Sequence, residues 1–210
     1  MESCDPEVVK YYELGHSAFW VGKRFNISLW KVYKILKKYH VARRSPAQSN
    51  RLSFLATPLS FSVPGSLSIS GRALWEAGLL LYLGEGSKKD YKCVDLANCD
   101  EEVIQIFLKM LRQVYRVKET RLRIYIYCHD TKDPQKLIAY WSELLHIPAR
   151  QFTKPYIKAG SQGADSDKMK HGLVHIRYAD SRLWAQIMND MHLLTERLLG
   201  YSSGQREQTV

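Results

Sequence analysis

From Arg72 the chain runs RALWEAGLLLYLGEGSKKD, an apolar stretch that stops abruptly at an acid, Glu85, between Gly84 and Gly86. The apolar residues recur at helical spacing and predict a helix. Leu74, Gly78, Leu81 and Glu85 are separated by four, three and four residues, so they share one face of it, with Ala77 and Gly84 beside them. Small residues there let a second helix approach closely, and Glu85 sits at the end of the contact. Two readings stay open: a core helix that ends in glycine, or a seam between two helices that delivers a carboxylate to its tip.

The rest of the chain must say what such a carboxylate would serve. Thirty-one Lys and Arg against 21 Asp and Glu leave a formal charge of +10, which attracts a polyanion before any specific contact forms and makes nucleic acid the leading partner. A chain of 210 residues, 45% hydrophobic, can bury one ordinary core plus a small helical module, so two domains are expected. No window approaches the roughly 20 apolar residues that cross a bilayer. The start, MESCDPEVVK, has neither a basic n-region nor an apolar h-region, so no membrane partner and a cytoplasmic, intracellular location are expected. Cys4, Cys93, Cys99 and Cys128 form no CxxC pair. They read as buried reduced thiols rather than as a disulfide framework or a zinc site with His129. No GxSxG elbow, P-loop, HExxH or dinucleotide fingerprint is present.

Residues 1–44 read as three short helices. Asp5 is placed to cap the first, Pro6 suits its first turn, and Gly15 can end it in a left-handed conformation. Ser17 and Ser28, eleven residues apart, can cap the second and third. The third carries Val32, Ile35, Leu36 and Tyr39 at helical spacing. This arrangement resembles the helix-turn-helix of site-specific recombinases and many bacterial regulators, with Gly22 at the small-residue position where the two helices cross. The resemblance implies a duplex-DNA reader. Trp30, Lys31 and Lys34 enter the major groove with Leu29, while Lys37, Lys38, Arg43 and Arg44 reach phosphates, unless Arg43 and Arg44 form a minor-groove arm. Leu29 and Trp30 either touch thymine methyls or pack on the second domain. Residues 45–70, rich in Ser with Pro46, Pro58 and Pro64, have no sustained helical period and are expected to be an extended linker.

The second domain, 71–200, is expected to be α+β, with strands over Lys92–Asn98, Arg121–His129, Gln151–Lys158 and Leu173–Tyr178. Helices are expected over Asp100–Tyr115, Asp133–His146 and Ser181–Leu194, and residues 201–210 should be a frayed tail. In RLRIYIYCH, Leu122, Ile124, Ile126 and Cys128 point to one face, and Arg121, Arg123, Tyr125, Tyr127 and His129 to the other. Lys154, Tyr156 and Lys158 share a face of the next strand, as do His175 and Arg177 of the last. All can join one basic surface, or remain solvated charges on a one-sided sheet.

The segment Ala77-Gly78-Leu79-Leu80-Leu81-Tyr82-Leu83-Gly84-Glu85-Gly86 resembles the signature of the LAGLIDADG homing endonucleases in its Gly-Glu-Gly form. The resemblance implies a mixed αβ domain with a DNA-cradling antiparallel sheet. It makes Glu85 a ligand of Mg2+ and Leu74, Ala77, Gly78 and Leu81 a dimer interface, with Arg177, or in its stead His175 or Lys154, the basic residue near the metal. The signature occurs once, so a complete site implies a homodimer on a near-palindromic duplex. Gly86 to Asp100 leaves room only for a short first strand, which shifts recognition toward the helix-turn-helix. The expected function is thus sequence-specific DNA binding with metal-dependent cleavage. The alternatives are a non-cleaving regulator on the same scaffold, and an RNA-binding protein whose tyrosines and arginines stack on unpaired bases.

Overall fold

A computed structural model describes residues 4–89, 93–159 and 169–200; Lys92 of the expected first strand and the tail 201–210 lie outside them. The chain divides into two compact units at Pro58/Leu59.

In the first unit, α1 (Asp5–Glu13), α2 (Ala18–Phe25) and α3 (Leu29–Lys38) enclose a core of Val8, Tyr12, Ala18, Val21, Val32, Ile35 and Leu36. The Ser17 hydroxyl accepts from the Trp20 N–H at 3.1 Å and that of Ser28 from the Lys31 N–H at 3.2 Å, so both expected caps form. A Cβ on Gly22 would stand 2.9 Å from the Ile27 carbonyl oxygen and 3.6 Å from Val32 Cγ2. Gly22 therefore lets the turn and α3 close onto α2. Asp5 does not cap α1: the cap position is Cys4, without a side-chain bond, and Asp5 lies in the first turn. Its carboxylate instead pairs with Lys38 at 2.8 Å.

A helix, α4 (Pro46–Ala56), occupies much of the expected linker. Ser45 and Gln48 form a reciprocal capping box and Pro46 begins the first turn, local signals that suffice to start a helix where no apolar stripe exists. None of its residues is buried.

The second unit is α+β. Its sheet has the order β1 (Val94–Asn98), β4 (Leu173–Tyr178), β2 (Arg123–His129), β3 (Tyr156–Lys158). Helices α5 (Ile69–Glu85), α6 (Glu101–Gln113), α7 (Pro134–Leu145) and α8 (Ser181–Leu199) complete it. Strands β1 and β2 both run antiparallel to β4, but β3 pairs with β2 in parallel, so the sheet is mixed rather than antiparallel. A parallel neighbour needs a long crossover, and α7 lies in it. The expected strand from Gln151 shortens to three residues because Ala149–Gln151 make a 3-10 turn and Pro155 has no N–H to offer a ladder. Leu122, Ile124, Ile126 and Cys128 are buried as the alternation requires. Of the other cysteines, Cys4 and Cys99 are exposed and Cys93 half-buried, against the expected burial.

Helix α5 begins at Ile69, capped by Ser68 on the Gly71 N–H at 3.1 Å. Its Gly78 faces α6, where a Cβ would lie 2.3 Å from Met110 Sδ and 2.8 Å from its Cβ. Leu74 and Leu81 pack against the same core, whereas Ala77 is exposed. The Gly78 face expected to meet another chain is thus filled by this chain's own α6. The face left open carries Ala73, Ala77, Leu80 and Gly84.

The end of the expected linker is stitched to the second unit. Buried Asp180 accepts from the Ser60 hydroxyl at 2.6 Å and from the Arg182 and Leu183 N–H groups at 2.9 and 3.4 Å, capping α8. Tyr178 donates its hydroxyl to the Ser60 carbonyl at 2.7 Å. Burial opposes ionisation of Asp180, but these donors and Arg182 outweigh it and hold the carboxyl below its ordinary 3.8. A depressed acid stabilises the fold fully above pH 3.8 and loses that contribution as pH falls through the folded value. Asp180→Ala should cost about 2 kcal/mol at neutral pH in urea titrations. Its stability should also fall less steeply than that of the wild type below pH 3.8.

Candidate nucleic-acid interface

On the first unit, α3 presents its amino-terminal end to solvent: Trp30 is 70% exposed and Leu29 42%. Lys31, Lys34 and Lys37 are exposed beside them, and Lys34 Nζ stands 5.0 Å from the centre of the Trp30 ring. Arg43 lies 3.7 Å over the Tyr33 ring and remains at the surface. Two expected phosphate contacts are otherwise engaged. Lys38 is paired with Asp5. The Arg44 guanidinium donates to the Tyr12 and His16 carbonyls at 2.6 and 2.7 Å and stacks on the Tyr12 ring, which makes it a structural tie. No Asp or Glu occurs between Glu13 and Glu76, so α2, α3 and the segment after them carry cations alone.

On the second unit, the solvent face of the sheet is built by register. Asp95, Arg177 and Arg123 form one row, Ala97, His175 and Tyr125 the next, and Leu173, Tyr127 and Tyr156 the third; His129 pairs with Lys158. The rings run on from strand to strand: Tyr156 lies 5.3 Å from Tyr127, and Tyr127 4.8 Å from His175, while Arg177 covers Tyr125 at 4.8 Å. Arg121 does not join them. It sits in a 3-10 turn before β2, donates to the Ala179 carbonyl and covers Tyr178, so the basic face begins at Arg123. Lys154 is exposed but precedes β3.

At one edge of this face Glu85, Gly86, Ser87 and Lys89 meet the sheet around a groove of about 380 Å³ that also takes in Asp95, Tyr125, Tyr127, His175 and Arg177. The Ser87 N–H donates to the Asp95 carbonyl at 2.8 Å, which pins the end of α5 to β1. Gly86 is required there, because a Cβ would stand 2.3–2.5 Å from the Tyr82 ring. Glu85 is exposed and, among the described residues, has no hydrogen-bond or ion-pair partner. A carboxylate at a helix carboxyl end is electrostatically disfavoured. Lys88 offsets this by donating to the Leu83 carbonyl at 2.6 Å.

Asp95 is the residue that pattern reading missed. One oxygen meets His175 Nδ1 at 2.9 Å and the other lies 3.1 Å from Arg177 Nε. Burial is the largest single influence and would lower the basicity of Arg177, but Asp95, Cys93 and Tyr125 together outweigh it and raise it, so the guanidinium is held charged at the groove. The signal was present as an acid on the polar side of VDLAN, yet nothing in that strand names its two partners.

The described donors of one chain do not by themselves form a magnesium shell. Asp95 is engaged on both oxygens, Glu85 is a single free carboxylate, and no group of three His, Cys, Asp or Glu is placed for a metal among the described residues. Magnesium accepts one or two carboxylates plus waters, and Glu85 is of the type that supplies one of them. Among the described residues no helix is long and apolar enough to cross a membrane. No protein-family model matches the chain, and neither the curated proteins nor the solved structures give a match.

Proposed function

We propose that the protein binds duplex DNA through its first unit, with α3 in the major groove. One observation carries this reading. Two serine-capped helices cross at Gly22 and present Trp30, Lys31, Lys34 and Lys37 at the surface, on a stretch of sequence without an acid. A helix offered end-on beside unpaired lysines suits base edges and flanking phosphates together. The test is duplex affinity measured across salt concentrations. Each lysine that neutralises a phosphate contributes close to one unit of log–log slope, so Lys31→Ala/Lys34→Ala should lower affinity and flatten the slope by roughly two. An unchanged slope would remove α3 from the interface.

A second reading, cleavage, is favoured by the unpaired Glu85 carboxylate, which opens into the same groove as the charged Arg177. In this reading two copies meet across the exposed Ala73, Ala77, Leu80 and Gly84 face of α5, a different stripe from the one around Gly78. Their Glu85 side chains hold magnesium, which would polarise a phosphodiester and its attacking water. Arg177, oriented by Asp95, stabilises charge on the phosphate. A protein that binds duplex DNA and cuts none is then a regulator on this scaffold.

A further inference from the structure

We propose that the solvent face of the sheet is a stacking platform for unpaired nucleobases, a site distinct from the duplex-reading surface and not dependent on it. A one-sided sheet is adequately solvated by threonines and charges. This one instead exposes Tyr156 to 60% and Tyr127 to 37%, in ring contact with each other and continued by His175. Aromatic rings joined across three adjacent strands make one apolar strip that water covers poorly. A paired base cannot use it, because both of its faces are already stacked in the duplex, whereas an unpaired base can lie on a tyrosine.

Charge selects the occupant. Lys158 is exposed one register row beyond Tyr156, Arg123 is exposed one row beyond Tyr125 with its guanidinium also donating to the Thr120 and Leu122 carbonyls, and Arg177 borders the groove. A single strand can therefore run along it with bases on the rings and phosphates at the cations. The groove at Tyr125 and Tyr127, about 380 Å³, is of a size to receive a nucleotide turned out of the strand.

The experiment titrates the full chain with a labelled twelve-nucleotide single strand, as DNA and as RNA, and with a DNA strand of equal charge made wholly of abasic sites. Removing one stacking ring costs about ten- to a hundred-fold in affinity. Tyr127→Ala and Tyr156→Ala should each weaken the intact strand by about tenfold or more, while Tyr127→Phe keeps it within about twofold because the ring remains. The abasic strand should bind at least tenfold more weakly than the intact one. Duplex affinity, carried by the first unit, should be unchanged in the tyrosine variants, and an unchanged melting temperature reports that the second unit is folded. Tight binding by either DNA or RNA supports the platform and identifies the strand. Equal affinity for intact and abasic strands, or alanine variants that bind like the wild type, would overturn it even if duplex binding stands.

Discussion

Gly78→Val is expected to destabilise the second unit by about 3 kcal/mol, the upper end for overpacking a filled core. The introduced Cβ alone would meet three atoms of Met110 at 2.3–2.9 Å, one of them the Met110 Cβ, which cannot swing aside as the sulfur can. For a unit of this size the melting temperature should fall by roughly 6–12 °C. Met110→Ala, which removes the Sδ and Cγ contacts but keeps the Cβ, should recover part of the loss in the double variant, and the non-additivity measures the contact directly. This prediction separates two roles for one glycine. A Gly78 at a seam between chains would give a variant that has lost its dimer and whose melting no longer depends on protein concentration. A Gly78 under Met110 gives a protein that melts early at every concentration.

In the cleavage reading, Glu85→Ala is expected to reduce magnesium-dependent nicking of duplex DNA by at least about a thousand-fold. A metal that polarises the phosphate supplies several kcal/mol to the transition state, at 1.36 kcal/mol per tenfold. Glu85 is exposed and bonded to no other described residue, so its removal should leave melting temperature and duplex affinity nearly unchanged. Activity should vanish with EDTA and rise with protein concentration more steeply than linearly, since in this reading the second Glu85 comes from a second copy. Duplex binding without metal-dependent cuts by the folded wild type would leave the regulator, and Glu85 would then be only the last residue of a helix.

The parts of the molecule legible beforehand depend on neighbours in sequence. Ser17 and Ser28 bond to N–H groups three residues ahead, and Asp100 and Asp133 to N–H groups two and three ahead. A cap needs no tertiary partner. The alternation in β2 reports its buried face for the same reason, because side-chain direction follows from the pleat alone. The overlooked α4 was also local. Its Ser45–Gln48 box lay in a stretch read by its prolines and serines rather than by its caps.

Contacts between residues far apart followed another logic. Arg44 and Arg43 are adjacent and alike in sequence, yet one is fixed to the carbonyls of Tyr12 and His16 while the other lies exposed on Tyr33. Lys38 is paired with an acid 33 residues earlier. Asp95 finds His175 and Arg177 only because β1 lies antiparallel beside β4.

By itself, the sequence determined the Ser17, Ser28 and Asp100 caps, the helical and strand periods, the surplus of positive charge and the acid that ends α5, since each depends on a few consecutive residues. The tertiary structure alone decided that α6 fills the Gly78 face, that β3 runs parallel to β2, and that Asp95 holds Arg177 at the groove beside Glu85. These depend on which helix covers which stripe and which strand lies beside which, and many sequences with the same local periods can pack in other ways.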